Sequence, residues 1–144
     1  EPGDMVRVLR ADITEASPMG GDIEIVDQAF AFKADDREGF PSQLTSLQHV
    51  PELGGCLLTT SSEDDSNVFH GNMLWFVPDG PDPKPVKVAT FEVAMKVEGL
   101  AVLKSERPDA STLSVDLLLT YDNDPHATKI PSRFQTARVT RRAR

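Results

Sequence analysis

The side chain with the greatest latent reactivity is Cys56, the only cysteine, set between Gly54-Gly55 and Leu57-Leu58. As a thiolate it would be a nucleophile, provided the fold brought a base such as His49 or His70 within hydrogen-bond reach. The plainer reading is a small buried hydrophobe, because free cysteine is among the residue types most often found inside proteins. The histidines His49, His70 and His126 are too scattered for a local zinc motif, and no second cysteine offers the close spacing of a structural site. His70 lies inside an apolar run, so its ring either projects into a cavity or is held by neighbours as part of the core.

Two acidic clusters, Glu63-Asp64-Asp65-Ser66-Asn67 and Asp122-Asn123-Asp124, offer hard oxygens of the kind calcium takes. Neither has the spacing of a helix-loop-helix calcium site, and solvated turns use the same residues because Asp and Asn bond their own backbone. Carboxylate pairs for glycoside hydrolysis call for an aromatic cleft, and here the rings are Trp75, Tyr121 and 7 Phe. The same shortage argues against a carbohydrate or single-strand nucleic-acid face, both of which stack their ligands on rings. No catalytic residue, metal ligand or cofactor is expected from these patterns.

A different kind of chemistry is concentrated in residues 132–144, which hold Arg133, Arg138, Arg141, Arg142 and Arg144 and no acid. Of 15 basic residues, 10 remain against all 23 acids, so residues 1–131 carry 10 − 23 = −13 and the last thirteen carry +5. Three roles follow. A polyanion-binding arm would gain from counterion release, but five charges without interleaved aromatics on an acidic chain make a modest site, so nucleic acid is disfavoured. An assembly arm would pair with the acidic surface of a neighbouring copy. A last edge strand would use the same alternation, Arg133 to Val139, to keep its exposed side charged and so avoid aggregation.

These groups must be positioned by a chain of 144 residues, the size of one domain, which folds without a metal or disulfide staple. Eleven prolines and nine glycines among short apolar runs predict many turns and few long helices. No run is long enough to cross a bilayer, and Glu1 to Asp4 show no signal-peptide pattern, so no membrane partner is expected.

Period-two alternation predicts the strands. Phe91, Val93, Met95 and Val97 give Val86 to Val97 one apolar face, and Glu98-Gly99 breaks the pattern as a bulge or corner. Residues 105–111 read as a polar loop, followed by Leu113, Val115, Leu117 and Leu119 on a second strand that pairs as a hairpin, with Leu118 marking a central strand covered on both faces. Asp22 to Ala34 changes parity near Val26, which predicts a bulge there, and Val68 to Val77 is dense enough to be deeply buried. Met5 to Ile13, Gly55 to Thr60 and Arg133 to Thr140 are weaker strand candidates, and Pro41 to Val50 is either a helical turn or extended.

The expected fold is all-β: a single-domain antiparallel β-sandwich, jelly-roll-like, with a closed β-barrel as the alternative. Residues 1–131 form the acidic body and 132–144 a basic edge strand or arm of the same domain. The expected function is a non-catalytic structural subunit making protein contacts, such as a capsid, capsid-decorating or other oligomeric shell protein, located in a virion if so. Its partners would be other subunits, with homo-oligomers first, and Arg133, Arg138, Arg141, Arg142 and Arg144 would make the contacts. The alternative is a small barrel of carrier or cyclase-like type, binding an apolar ligand among Trp75, Phe91, Met95 and His70.

Overall fold

A computed structural model describes residues 5–13, 23–35, 39–66, 68–91, 96–121 and 133–142. They form nine strands: β1 (Val6–Ile13), β2 (Ile23–Phe32), β3 (Ser42–Val50), β4 (Gly55–Glu63), β5 (Phe69–Pro78), β6 (Val86–Thr90), β7 (Val97–Asp109), β8 (Thr112–Tyr121) and β9 (Arg133–Arg142). Hydrogen bonding sorts them into three antiparallel sheets, ordered β1-β2, β3-β4-β5-β6 and β7-β8-β9. None closes on itself, so the barrel alternative is corrected: both larger sheets keep two edges. Within each sheet consecutive strands are neighbours, so the sheet order does not show the interleaving of strands between sheets that a jelly roll has.

The sequence of β4 explains the layering. Leu57 and Leu58 are adjacent and both 0% exposed, so the strand is covered on both faces. On one face Leu57 joins Val50 and Leu74 of its own sheet, Leu53 of the turn between β3 and β4, and Val97, Leu100, Leu113, Val115, Leu117, Leu119 and Tyr121 of β7 and β8. On the other, Leu58, Met73, Trp75 and Val77 meet Val6, Phe32 and Ala34, so the β1-β2 hairpin and the segment after it cover the back of the same sheet. Each fully buried leucine contributes about 1.5–3 kcal/mol from leaving water. Buried polar groups are matched as well: Trp75 Nε1 donates to Thr60 Oγ1 at 3.1 Å, and among the described residues no buried side-chain nitrogen or oxygen lacks a partner.

Local chemistry sets the connections. Gly54 closes the 3-10 turn Pro51–Leu53 with φ of 65°, a left-handed conformation that glycine adopts without a Cβ penalty. Asp109 Oδ1 accepts from the Ser111 backbone N–H at 2.8 Å and from its hydroxyl at 2.7 Å, holding the two-residue turn between β7 and β8. In β2, Asp27 and Ile25 pair with Arg10 and Ala11, leaving Val26 as the extra residue of the expected bulge. Glu98 is extra in β7, where Gly99 lies so close to Thr120 that a Cβ would sit 2.3 Å from its Oγ1.

Three expectations are revised. Residues 105–109 are strand, so the loop shrinks to Ala110 and Ser111; polar residues suit β7 there because they lie toward its solvated end. Pro41 to Val50 is extended from Ser42 onward. The proposed continuous strand Val86 to Val97 ends at Thr90 in one sheet, and Val97 opens β7 in another; residues 92–95, including Val93 and Met95, lie outside the described residues.

Candidate functional site

The β3-β4 register sets His49 opposite Cys56, and the β4-β5 register sets Val77 opposite Cys56 on the other side. Directly opposed residues point to the same face, here the face toward the β1-β2 hairpin. Asp79, just beyond β5, approaches His49: Nε2 lies 3.3 Å from both carboxylate oxygens. These groups adjoin a cleft of about 400 Å³ lined by Gln28, Ala29 and Phe30 of β2, by Cys56 and by residues 77–81 and 83.

The fold thus brings together a thiol, an imidazole and a carboxylate, but not in an activating order. Burial pushes the Cys56 thiol up, and the negative charge of Asp79 pushes it further the same way. Among the described residues the thiol makes no hydrogen bond, and the His49–Asp79 pair stands in solvent. A nucleophilic cysteine needs the reverse environment, a nearby cation or base that favours thiolate. Among the described residues no three His, Cys, Asp or Glu side chains converge as a metal-binding group.

His70 has a structural setting. Its ring stacks on Phe40 with centroids 4.2 Å apart and planes at 18°, and its Nε2 lies 3.3 Å from Asp64 Oδ2. Asp64 also accepts the backbone N–H groups of Ser66 at 2.8 Å and Val68 at 2.9 Å. The Val68 bond, with smaller help from His70 and Ser66, holds this carboxyl below its ordinary range against the opposing effect of desolvation. Glu63 of the same acidic cluster pairs with Lys96 at 2.7 Å. The first cluster therefore secures a hairpin tip. Residues 122–124 and His126 lie outside the described residues. Of the residues expected to line a ligand cavity, Trp75 belongs to the core on one face of the middle sheet and Phe91 packs against the core on the other, while Met95 lies outside the described residues.

The arginines are divided between the two faces of β9, which pairs residue by residue with β8 and forms the free edge of its sheet. Ala137 and Val139 pack on the core, Tyr121 Oη donates to Gln135 at 2.9 Å, and Arg141 crosses to the other sheet, where its Nη1 donates to the Leu53 carbonyl and its guanidinium lies 6.0 Å from the Phe76 ring centroid. On the outward face Arg138 makes a two-pronged bond with Asp116, at 2.5 and 2.7 Å, with Glu106 at 3.7 Å. Arg138 holds the Asp116 carboxyl below its usual range, and Asp116 raises the guanidinium in turn. Arg133 and Arg142, at the two ends of β9, are exposed and form no ion pair among the described residues; Arg144 lies outside them.

That outward face carries a feature the arginine count concealed. Phe134 is 75% exposed, more than any other large hydrophobic residue described, and Leu103, the extra residue where β7 slips between Val102 and Lys104, is 55% exposed. Half-buried Leu118 lies at the centre of the face, opposite Ala101 on one side and Thr136 on the other. The signal was present in the parity of β9: once Ala137 and Val139 face the core, Phe134 must face away.

Among the described residues no helix is long and apolar enough to cross a membrane. Comparison with family models, with curated proteins and with solved structures returned no match.

Proposed function

We propose that the chain is a non-catalytic subunit of β-sandwich type that works by protein–protein contact, with β9 and the sheet it edges as the contact region. The observation that carries this reading is Phe134, standing 75% exposed on an arginine-bearing edge strand, opposite Thr120 and one row along from the pair Leu118 and Thr136. An exposed apolar group rimmed by charge is what contact surfaces present, and the unactivated Cys56 thiol offers no rival chemistry. Arg133, Arg142 and Arg144 supply cationic contacts to acidic neighbours, while Arg138 and Arg141 act by fixing β9 in place. An oligomeric shell, including a capsid-decorating layer on a virion, is the setting this reading has in view; the sandwich itself does not specify it.

The test is size-exclusion chromatography with light scattering on the intact chain and on Arg133→Glu/Arg142→Glu. Charge reversal at the strand ends is preferable to removing residues 132–144, because Ala137 and Val139 belong to the core packing. The proposal expects a species larger than the monomer that shifts toward monomer in the variant and in high salt. A monomer indifferent to concentration, salt and substitution would overturn it.

A further inference from the structure

Resting on the contact reading above, we infer that the partner of this surface is a second copy of the chain, docked face to face across a two-fold axis that crosses the strands of β7, β8 and β9 at Leu118.

The registers lay the outer face out as rows across the three strands. Glu106, Ser114 and Thr140 form one row; Lys104, Asp116 and Arg138 the next; Ala101, Leu118 and Thr136 the third; Gly99, Thr120 and Phe134 the fourth. A two-fold axis lying along the third row sets Leu118 against the partner's Leu118, between paired Ala101 and Thr136 side chains. It also exchanges the second row with the fourth. Arg138 then lies over the partner's Phe134, and Phe134 under the partner's Arg138, a guanidinium on an aromatic face at two symmetry-related places. Arg138 is suited to this because its planar group is already fixed by Asp116 at 2.5 and 2.7 Å.

Charge favours the same occupant. The chain carries −8, so copies repel one another on average. On this face Lys104, Arg138 and Arg142 balance Glu106, Asp116 and Asp109, so two copies meet here without the repulsion they meet elsewhere. The competing edge-to-edge mode is opposed by the same arginines. Antiparallel pairing of β9 with its own copy, centred between Ala137 and Arg138, sets Arg133 opposite Arg142. Shifting the centre to Arg138 opposes that residue to itself, and shifting it to Ala137 opposes Arg133 to Arg141. The arginines guard the edge and leave the face as the contact.

Area sets the strength. Three strands about 4.8 Å apart and about ten residues long at about 3.4 Å each offer a patch of roughly 14 by 34 Å. Two such patches bury on the order of 1,000 Å², the low end for a specific interface, which means a reversible, concentration-dependent dimer.

Sedimentation equilibrium on the full chain tests this, using Leu118→Glu at the axis and Phe134→Glu at its flank, with far-ultraviolet circular dichroism to check folding. Phe134 is exposed, so its variant keeps the fold even if Leu118→Glu does not. The inference expects a monomer–dimer equilibrium in the unmodified chain, weakened tenfold or more by either substitution, and weakened by Arg138→Gln as well. A dimer unaffected by Phe134→Glu but dissolved by Arg133→Glu/Arg142→Glu would overturn the face and leave the contact reading standing. A monomer at every concentration would overturn both.

Discussion

Replacing Leu58 with alanine tests whether the β1-β2 hairpin is a true third layer. The side chain is 0% exposed and contacts a cluster drawn from the hairpin side, Val6, Phe32 and Ala34, as well as from its own sheet. Removing three carbons forfeits about 2.4 kcal/mol at roughly 0.8 kcal/mol per methylene. The cavity adds to this, because Trp75 and Met73 are fixed between two layers and cannot collapse freely; the expected total is about 3–4 kcal/mol. Urea unfolding followed through Trp75, the only tryptophan and a member of the same cluster, gives the readout. With a slope of about 2 kcal/mol/M, the midpoint should fall by roughly 1.5–2 M. Leu57→Ala should cost a similar amount, since that residue is also 0% exposed, but the two variants should differ in hydrogen exchange: amides of β1 and β2 should open faster in Leu58→Ala alone. A loss below about 1 kcal/mol for Leu58→Ala, or equal exchange in the hairpin for both variants, would refute the layered arrangement.

Other consequences follow from the same geometry. Gly55→Ala should destabilise by about 2–3 kcal/mol in the same urea assay, because a Cβ there would lie 2.3 Å from the Val77 carbonyl oxygen and 2.7 Å from the Phe76 ring; a neutral result would show that the start of β4 is looser than described. Asp116, held low by Arg138, adds stability above about pH 4, where the unfolded carboxylate is already ionised, and loses it as pH falls through its lower folded value. Melting temperatures of dilute protein between about pH 2 and 6 should therefore drop less steeply on acidification in Arg138→Gln than in the parent, and parallel curves would contradict the pairing. Cys56, with its thiol pushed up, should react with a disulfide reagent at neutral pH more slowly in the folded chain than in urea, and His49→Ala should leave that rate unchanged. Fast labelling abolished by His49→Ala would instead reveal an activated nucleophile.

Strand identity was legible wherever burial is one-sided. Leu113, Val115, Leu117 and Leu119 announce β8 by parity alone, and all four reach the core. The change of parity at Val26 and the break at Glu98-Gly99 both mark residues that the ladder leaves over. What failed was reading parity across a change of sheet. Thr90 and Val97 lie in different sheets, and period two carries no record of which partner a strand has. Two-sided burial in β4 was also obscure, because a strand apolar on both faces has lost the alternation that identifies it. At the candidate surface, composition drew attention to the arginines, yet whether each one faces core or solvent depends on its register with β8, and that placed Arg141 across the other sheet and Phe134 in the open. The closeness of His49, Cys56 and Asp79 depends on two registers and a loop together, which no local spacing encodes.

A concentration series of amide proton–nitrogen correlation spectra on the uniformly labelled chain addresses the contact surface residue by residue. Signals of Ala101, Leu118, Thr136 and Phe134 should move together as protein concentration rises, while those of His49, Cys56 and Asp79 around the cleft hold still. Spectra that stay constant from dilute to concentrated solution, or movements gathered at the cleft instead of the outer face of β7, β8 and β9, would contradict the account.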